Sequence, residues 1–158
     1  MSGTMTKLYR SYVKLISSLQ SPFLLIIRLY WGWQFFLTGK GKLLNLDRTA
    51  GFFASLHIPM PKLNAVLAGG TECFGGLLLL LGLGSRIITV PLIFTMVVAY
   101  LSADSDKVQN IFSNPDAFVS AAPFQFLLTA VIVWIFGPGV FSVDALIARV
   151  RGGKKRDR

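Results

Sequence analysis

Glu72 lies in GGTECFGGLLLLLGLGSR, residues 69–86, a run otherwise built almost wholly from apolar and small side chains. A carboxylate there can exchange a proton, accept hydrogen bonds or hold a cation. Hydrocarbon around it would offer neither water nor a counter-ion, so such a residue faces protein or a ligand rather than lipid. The other group well inside an apolar stretch that is charged at neutral pH is Arg28, in SPFLLIIRLYWGWQFFLTGKGK. An isolated charge at a bilayer centre costs ~3 kcal/mol on insertion scales, so the two opposite charges are expected to pair. Residue types alone leave open whether such a pair is a functional polar pocket or a structural tie. Buried pairs stabilise poorly against apolar packing, while intramembrane ionisable groups mark sites by default.

The remaining reactive residues offer less. Cys73 is the only cysteine, which excludes an intrachain disulfide or a CxxC pair, and it reads as a small buried residue. His57 is the only histidine, too few for a low-spin b-type haem or a His-based metal cluster, and it reads as a loop residue near Pro59. Asp104, Asp106 and Asp116 read as a solvated loop rather than a cation site. No metal site is expected, no catalytic residue is assigned, and no self-contained redox or hydrolytic apparatus is visible. Tyr30, Trp31, Trp33, Phe35 and Phe36 crowd one segment. Trp31 and Phe35 are candidates to flank a flat aromatic ligand, with packing or lipid contact as the plainer reading.

What must position these residues is a membrane bundle. Of 158 residues, 53% are hydrophobic and 15% charged, against about 25% charged in an ordinary soluble domain. Four apolar segments, 22–38, 64–84, 87–102 and 122–136, are near the length of ~17–25 residues that a spanning helix needs. The expected fold is therefore all-α: one domain over 1–158, a four-transmembrane-helix antiparallel bundle. No cleavable leader is expected. Ser21 and Pro22 suit the start of the first span. Before it, Leu8, Tyr12, Ile16 and Leu19 share one helical face and Lys7, Arg10 and Lys14 the other, the pattern of an N-terminal interfacial helix.

The net charge of +9 is placed by topology rather than by a nucleic-acid partner. Lys7, Arg10, Lys14, Arg86, Arg149, Arg151, Lys154, Lys155, Arg156 and Arg158 all fall on one side of a four-span chain. That puts both termini in the cytoplasm, with the basic tail, 149–158, as an anchor with affinity for anionic lipid. Between the first two spans, Leu46, Ala50, Phe53 and His57 recur at helical spacing. They suggest a short helix on or dipping into the outer surface, stopped by Pro59 and Pro61.

Small residues define the helix contacts. Glu72 shares its face with Ala65, Ala68, Gly69, Gly75 and Gly76, and Arg28 shares its face with Gly32, Phe35, Gly39 and Lys42. Both faces admit close helix approach. With each charge near its span's middle, the axial offset is ~5 Å at 1.5 Å per residue, within reach of an arginine. Gly137, Pro138 and Gly139 end the fourth span, Ser142 can cap a following helix, and Asp144 suits the positive end of that helix's dipole.

These motifs, in order, resemble the DoxX family of small membrane proteins. The resemblance rests on RLYWGWQFFLTGKGKL, FFASLHIPMP, ECFGGLLLLLGLGSR, Met96 with Ala99, and GPGVFSVDAL, over about 21–146. It departs at His57, where a glycine is expected before Ile-Pro. The resemblance implies a four-helix bundle in a bacterial or archaeal cytoplasmic membrane, and a subunit of a quinone-linked oxidoreductase or redox-stress complex. A partner protein would then hold the electron-transfer centre, and the chain itself no covalently bound cofactor. Arg28, Glu72, Lys42, Trp31 and Phe35 are the candidates for ligand binding or proton relay. Gly32, Gly39, Gly69, Gly75, Gly76, Gly137, Pro138, Gly139, Ser142 and Asp144 are read as structural. A non-catalytic assembly or cargo factor is the alternative, and a small transporter a more distant one. A homo-oligomer through the glycine faces stays open.

Overall fold

A computed structural model describes the backbone over residues 2–154 and the side chains over 5–151. The side chains of Lys154, Lys155, Arg156 and Arg158, to which the sequence gives an anchoring role, lie outside the described residues. The helices are α1 (Ser2–Leu44), α2 (Leu46–Ser55), α3 (Pro61–Leu81), α4 (Ser85–Ser102), α5 (Ser105–Gln109), α6 (Pro115–Val119), α7 (Ala122–Phe136) and α8 (Val143–Lys154). Among the described residues, Met5–Leu44, Pro61–Leu81 and Ser85–Ser102 are long and apolar enough to cross a membrane, and α7 is a shorter apolar helix. The four long helices form a ring in which α1 packs on α3, α3 on α4, α4 on α7 and α7 back on α1.

Backbone chemistry places the corners. Pro61 opens α3, where a missing N–H costs nothing. Gly82 and Gly84, with φ of 70° and 59°, turn the chain straight into α4. At the ring's centre Phe35, Leu79, Leu92, Met96, Ala130 and Val133 are buried together. In lipid such contacts hold helices by close van der Waals packing rather than by escape from water.

The α1–α3 seam is the tightest, and its glycines are indispensable. A Cβ on Gly39 would lie 2.2 Å from the Cys73 backbone nitrogen, and one on Gly76 2.5 Å from that of Phe36. One on Gly32 would meet the Leu80 nitrogen at 2.8 Å. The expected small-residue faces are thus where two backbones touch. Gly75 faces the other way, against Leu92 of α4.

Two expectations need correction. First, α1 does not break at Ser21–Pro22 into an interfacial helix and a span; it is one helix of 43 residues with Pro22 inside it. Ser21 is no N-cap, because its hydroxyl instead accepts the Val140 N–H at 3.3 Å, while Gly139 packs against Ser21 and Leu24. The segment before Pro22 is amphipathic as expected, with Leu8, Tyr12, Ile16 and Leu19 exposed.

Second, α1 runs on to Leu44, past the expected end at residue 38. The glycine seam then sets a different register. Arg28 packs beside Gly82, ~15 Å along α3 from Glu72 at 1.5 Å per residue, instead of the expected ~5 Å. The Arg28–Glu72 pair does not form.

Candidate functional site

Lys42, from the end of α1, takes the place expected of Arg28. Its Nζ donates to Glu72 Oε1. The two side chains differ in surroundings: Glu72 is 1% exposed, and Lys42 is 32% exposed. Among the described residues, the second carboxylate oxygen, Oε2, has no hydrogen-bond partner.

Glu72, Thr71 and Lys42 lie at one side of a cavity of about 810 Å³ between α1, α2, α3 and α4. That volume lies within the range of about 300–1,000 Å³ usual for small-molecule sites. Asn45, Arg48 and Asn64 add polar groups toward its α2 end, and Phe52, Phe53, Leu67, Phe94 and Val98 supply apolar wall. The chemistry on offer is therefore an ammonium donor, a buried carboxylate acceptor, and an apolar lining for a stem or ring.

α2 makes this cavity. It packs on α3, and its amphipathic sequence turns Phe53 inward to half-burial. The chain leaves α2 through His57, whose φ of 57° is left-handed. That conformation favours glycine, the residue the resemblance leads one to expect at this position. His57 is exposed and does not line the cavity.

At the opposite end of the bundle a second polar cluster forms around the C-terminal motif. Arg28 Nη1 donates to the Pro138 carbonyl and Nη2 to the Phe141 carbonyl at 2.8 Å, while its Nε has no partner among the described residues. Asp144 accepts the Gly84 N–H on Oδ1 at 2.8 Å and the Ser85 N–H on Oδ2 at 3.0 Å. It thereby caps α4 across the fold, in addition to its expected place in the first turn of α8. Ser142 does cap α8, accepting the Ala145 N–H at 3.1 Å. Gly82 is packed so closely that a Cβ there would sit 2.6 Å from Ser142 Cβ and 2.8 Å from Arg28 Nη1.

The sequence candidates thus divide. Glu72 and Lys42 come together at the cavity. Arg28 belongs to the other cluster, held by backbone carbonyls. Trp31 and Phe35 both pack edge-on against Phe126 of α7, at 5.0 and 4.6 Å between ring centroids, and neither lines the cavity. Sequence reasoning missed Thr71, Arg48, Phe52 and Phe94. Only the helical period of α2 hinted that the first connection covers something, and nothing in the apolar run of α4 marks Phe94.

A family model described as DoxX matches residues 23–105. "Inner membrane protein YphA" of Escherichia coli (strain K12) is 35% identical over 127 residues, covering 77% of this chain and 87% of that protein. "Putative oxidoreductase CatD" of Bacillus subtilis (strain 168) is 28% identical, covering 83% of this chain and 89% of its own. "Uncharacterized membrane protein Rv3486" of Mycobacterium tuberculosis (strain ATCC 25618 / H37Rv) is also 28% identical, over 88% of this chain and 90% of its own. No solved structure matches significantly.

Proposed function

Because the chain belongs to the DoxX family and is a multi-pass membrane protein of the cytoplasmic-membrane type, we propose that it is the membrane subunit of a quinone-linked redox complex, with the Glu72–Lys42 cavity as its quinone site. The observation that carries this reading is the state of Glu72, buried inside a bundle with one oxygen held by Lys42 and the other facing no protein donor. A group left so is expensive to bury, and a ligand that engages it offsets the cost.

A quinone bound there would supply two-electron chemistry. Lys42 would donate to a ring oxygen and Glu72 would hold or release the accompanying proton within hydrogen-bond reach. The apolar wall of Phe52, Leu67 and Phe94 would seat the ring and stem. The electrons would pass to or from a centre in a partner protein. Arg28, a candidate for ligand binding or proton relay in the sequence, instead holds the C-terminal motif.

Native mass spectrometry of the gently solubilised complex tests the reading. A bound quinone together with a redox protein is the expected result. A stable client protein with no quinone would instead establish the assembly-factor reading. Glu72→Gln is expected to fold and to hold its ligand more weakly.

A further inference from the structure

The cavity has a donor–acceptor polarity and a doorway, and together they specify more than the class of ligand. We infer that it selects the hydroxyl-bearing, reduced form of its ligand, a hydroquinone over a quinone, and admits it sideways from the lipid between α2 and α4. This rests on the quinone site proposed above.

The polarity comes from Glu72. A carboxylate held by an ammonium is an acceptor on both oxygens, and Oε2 has no donor among the described residues. At 1% exposure it has little access to water, whereas Lys42, at 32%, can place its spare N–H groups in solvent. The unmet demand in the cavity is therefore for a donor. A hydroquinone hydroxyl supplies one and forms a charge-assisted hydrogen bond. A quinone carbonyl would set one acceptor against another and leave Oε2 unpaired.

The doorway comes from the packing. α2 and α4 both pack on α3, and the cavity lies between them. Phe52 on α2, Leu67 on α3 and Phe94 on α4 all line the cavity and are 53%, 56% and 68% exposed. An edge formed by these side chains is apolar and, in a bundle that spans a membrane, suits an alkyl stem trailing into lipid while the polar ring reaches Glu72. A water-soluble ligand of similar size has no use for such an edge.

The test is equilibrium binding to the intact protein in lipid nanodiscs under anaerobic conditions, with a decyl benzoquinone and its chemically reduced hydroquinone as probes. The hydroquinone is expected to bind at least tenfold more tightly. Equal or tighter binding of the quinone would overturn the inference while leaving a quinone site in place. Binding of neither would overturn the proposed site as well. Glu72→Gln, whose amide presents both a donor and an acceptor, is expected to bring the ratio to about one, and an unchanged ratio would overturn the role of Oε2. Leu67→Trp, filling the doorway without touching the polar groups, is expected to slow entry of both forms alike. Unchanged entry rates would overturn the lateral path.

Discussion

Two carboxylates, Asp144 and Glu72, are set into opposite ends of the same bundle and are treated in opposite ways. Asp144 has both oxygens engaged by backbone N–H groups of the α3–α4 corner, and its neighbour Arg28 is held by two carbonyls of the same motif. Glu72 has one oxygen engaged and one without a partner, beside a cavity. At the first end the carboxylate is consumed by architecture, while Arg28 Nε and Ser85 Oγ there have no partner among the described residues. The second is polar chemistry left over. A buried charge by itself does not distinguish a site from a staple; an unmatched carboxylate oxygen on a residue that lines a cavity does.

The contrast can be broken most severely at the seam that holds both ends in register. Gly39→Leu drives a side chain into the Cys73 backbone, and no folded protein is expected on size-exclusion chromatography in detergent. Arg28→Met leaves the Pro138 and Phe141 carbonyls without their donor and is expected to lower stability by about 3 kcal/mol, read from thermal or denaturant unfolding. The matched pair of carboxamides sharpens the comparison directly. Asp144→Asn should cost about 2 kcal/mol in stability and little else, while Glu72→Gln should cost under about 1 kcal/mol and remove the preference for the hydroquinone. A stability loss at Glu72 as large as that at Asp144 would collapse the distinction. The smallest effect belongs to His57→Gly, expected to raise stability by about 0.5 kcal/mol in thermal unfolding, as relief of the left-handed backbone outweighs glycine's entropy cost, with the cavity unchanged.

Much of this was legible before any coordinates. The apolar runs mark the spans, and Ala122–Phe136 begins and ends where the sequence puts it. The small-residue faces around Glu72 and Arg28 are real contact faces. Glu72 itself stands out because a carboxylate in hydrocarbon has few explanations. What composition hid was register. Lys40 and Lys42 look like the end of a span, yet the helix continues through them to Leu44, and the glycines then slide α1 along α3 until Lys42, not Arg28, meets Glu72. The charge partner was on the right face of the right helix, at the wrong height. The cavity was harder still, since it depends on α2 folding back over α3, and its lining is scattered over four helices. Asp144 showed only its local role, because a cap supplied from far along the chain leaves no spacing to read.

That long-range cap has a consequence for how the protein is made. Asp144 follows the Gly84 amide it holds by 60 positions, and Pro138 follows Arg28 by 110. During synthesis the first three long helices can emerge and insert while the amides at the head of α4 and the guanidinium of Arg28 still wait for partners. That polar corner closes only when the last segment arrives. A chain interrupted before Pro138 therefore carries its own mark of incompleteness, an arginine without its carbonyls among packed helices, of the kind by which membrane quality control can tell a truncated product from a finished one.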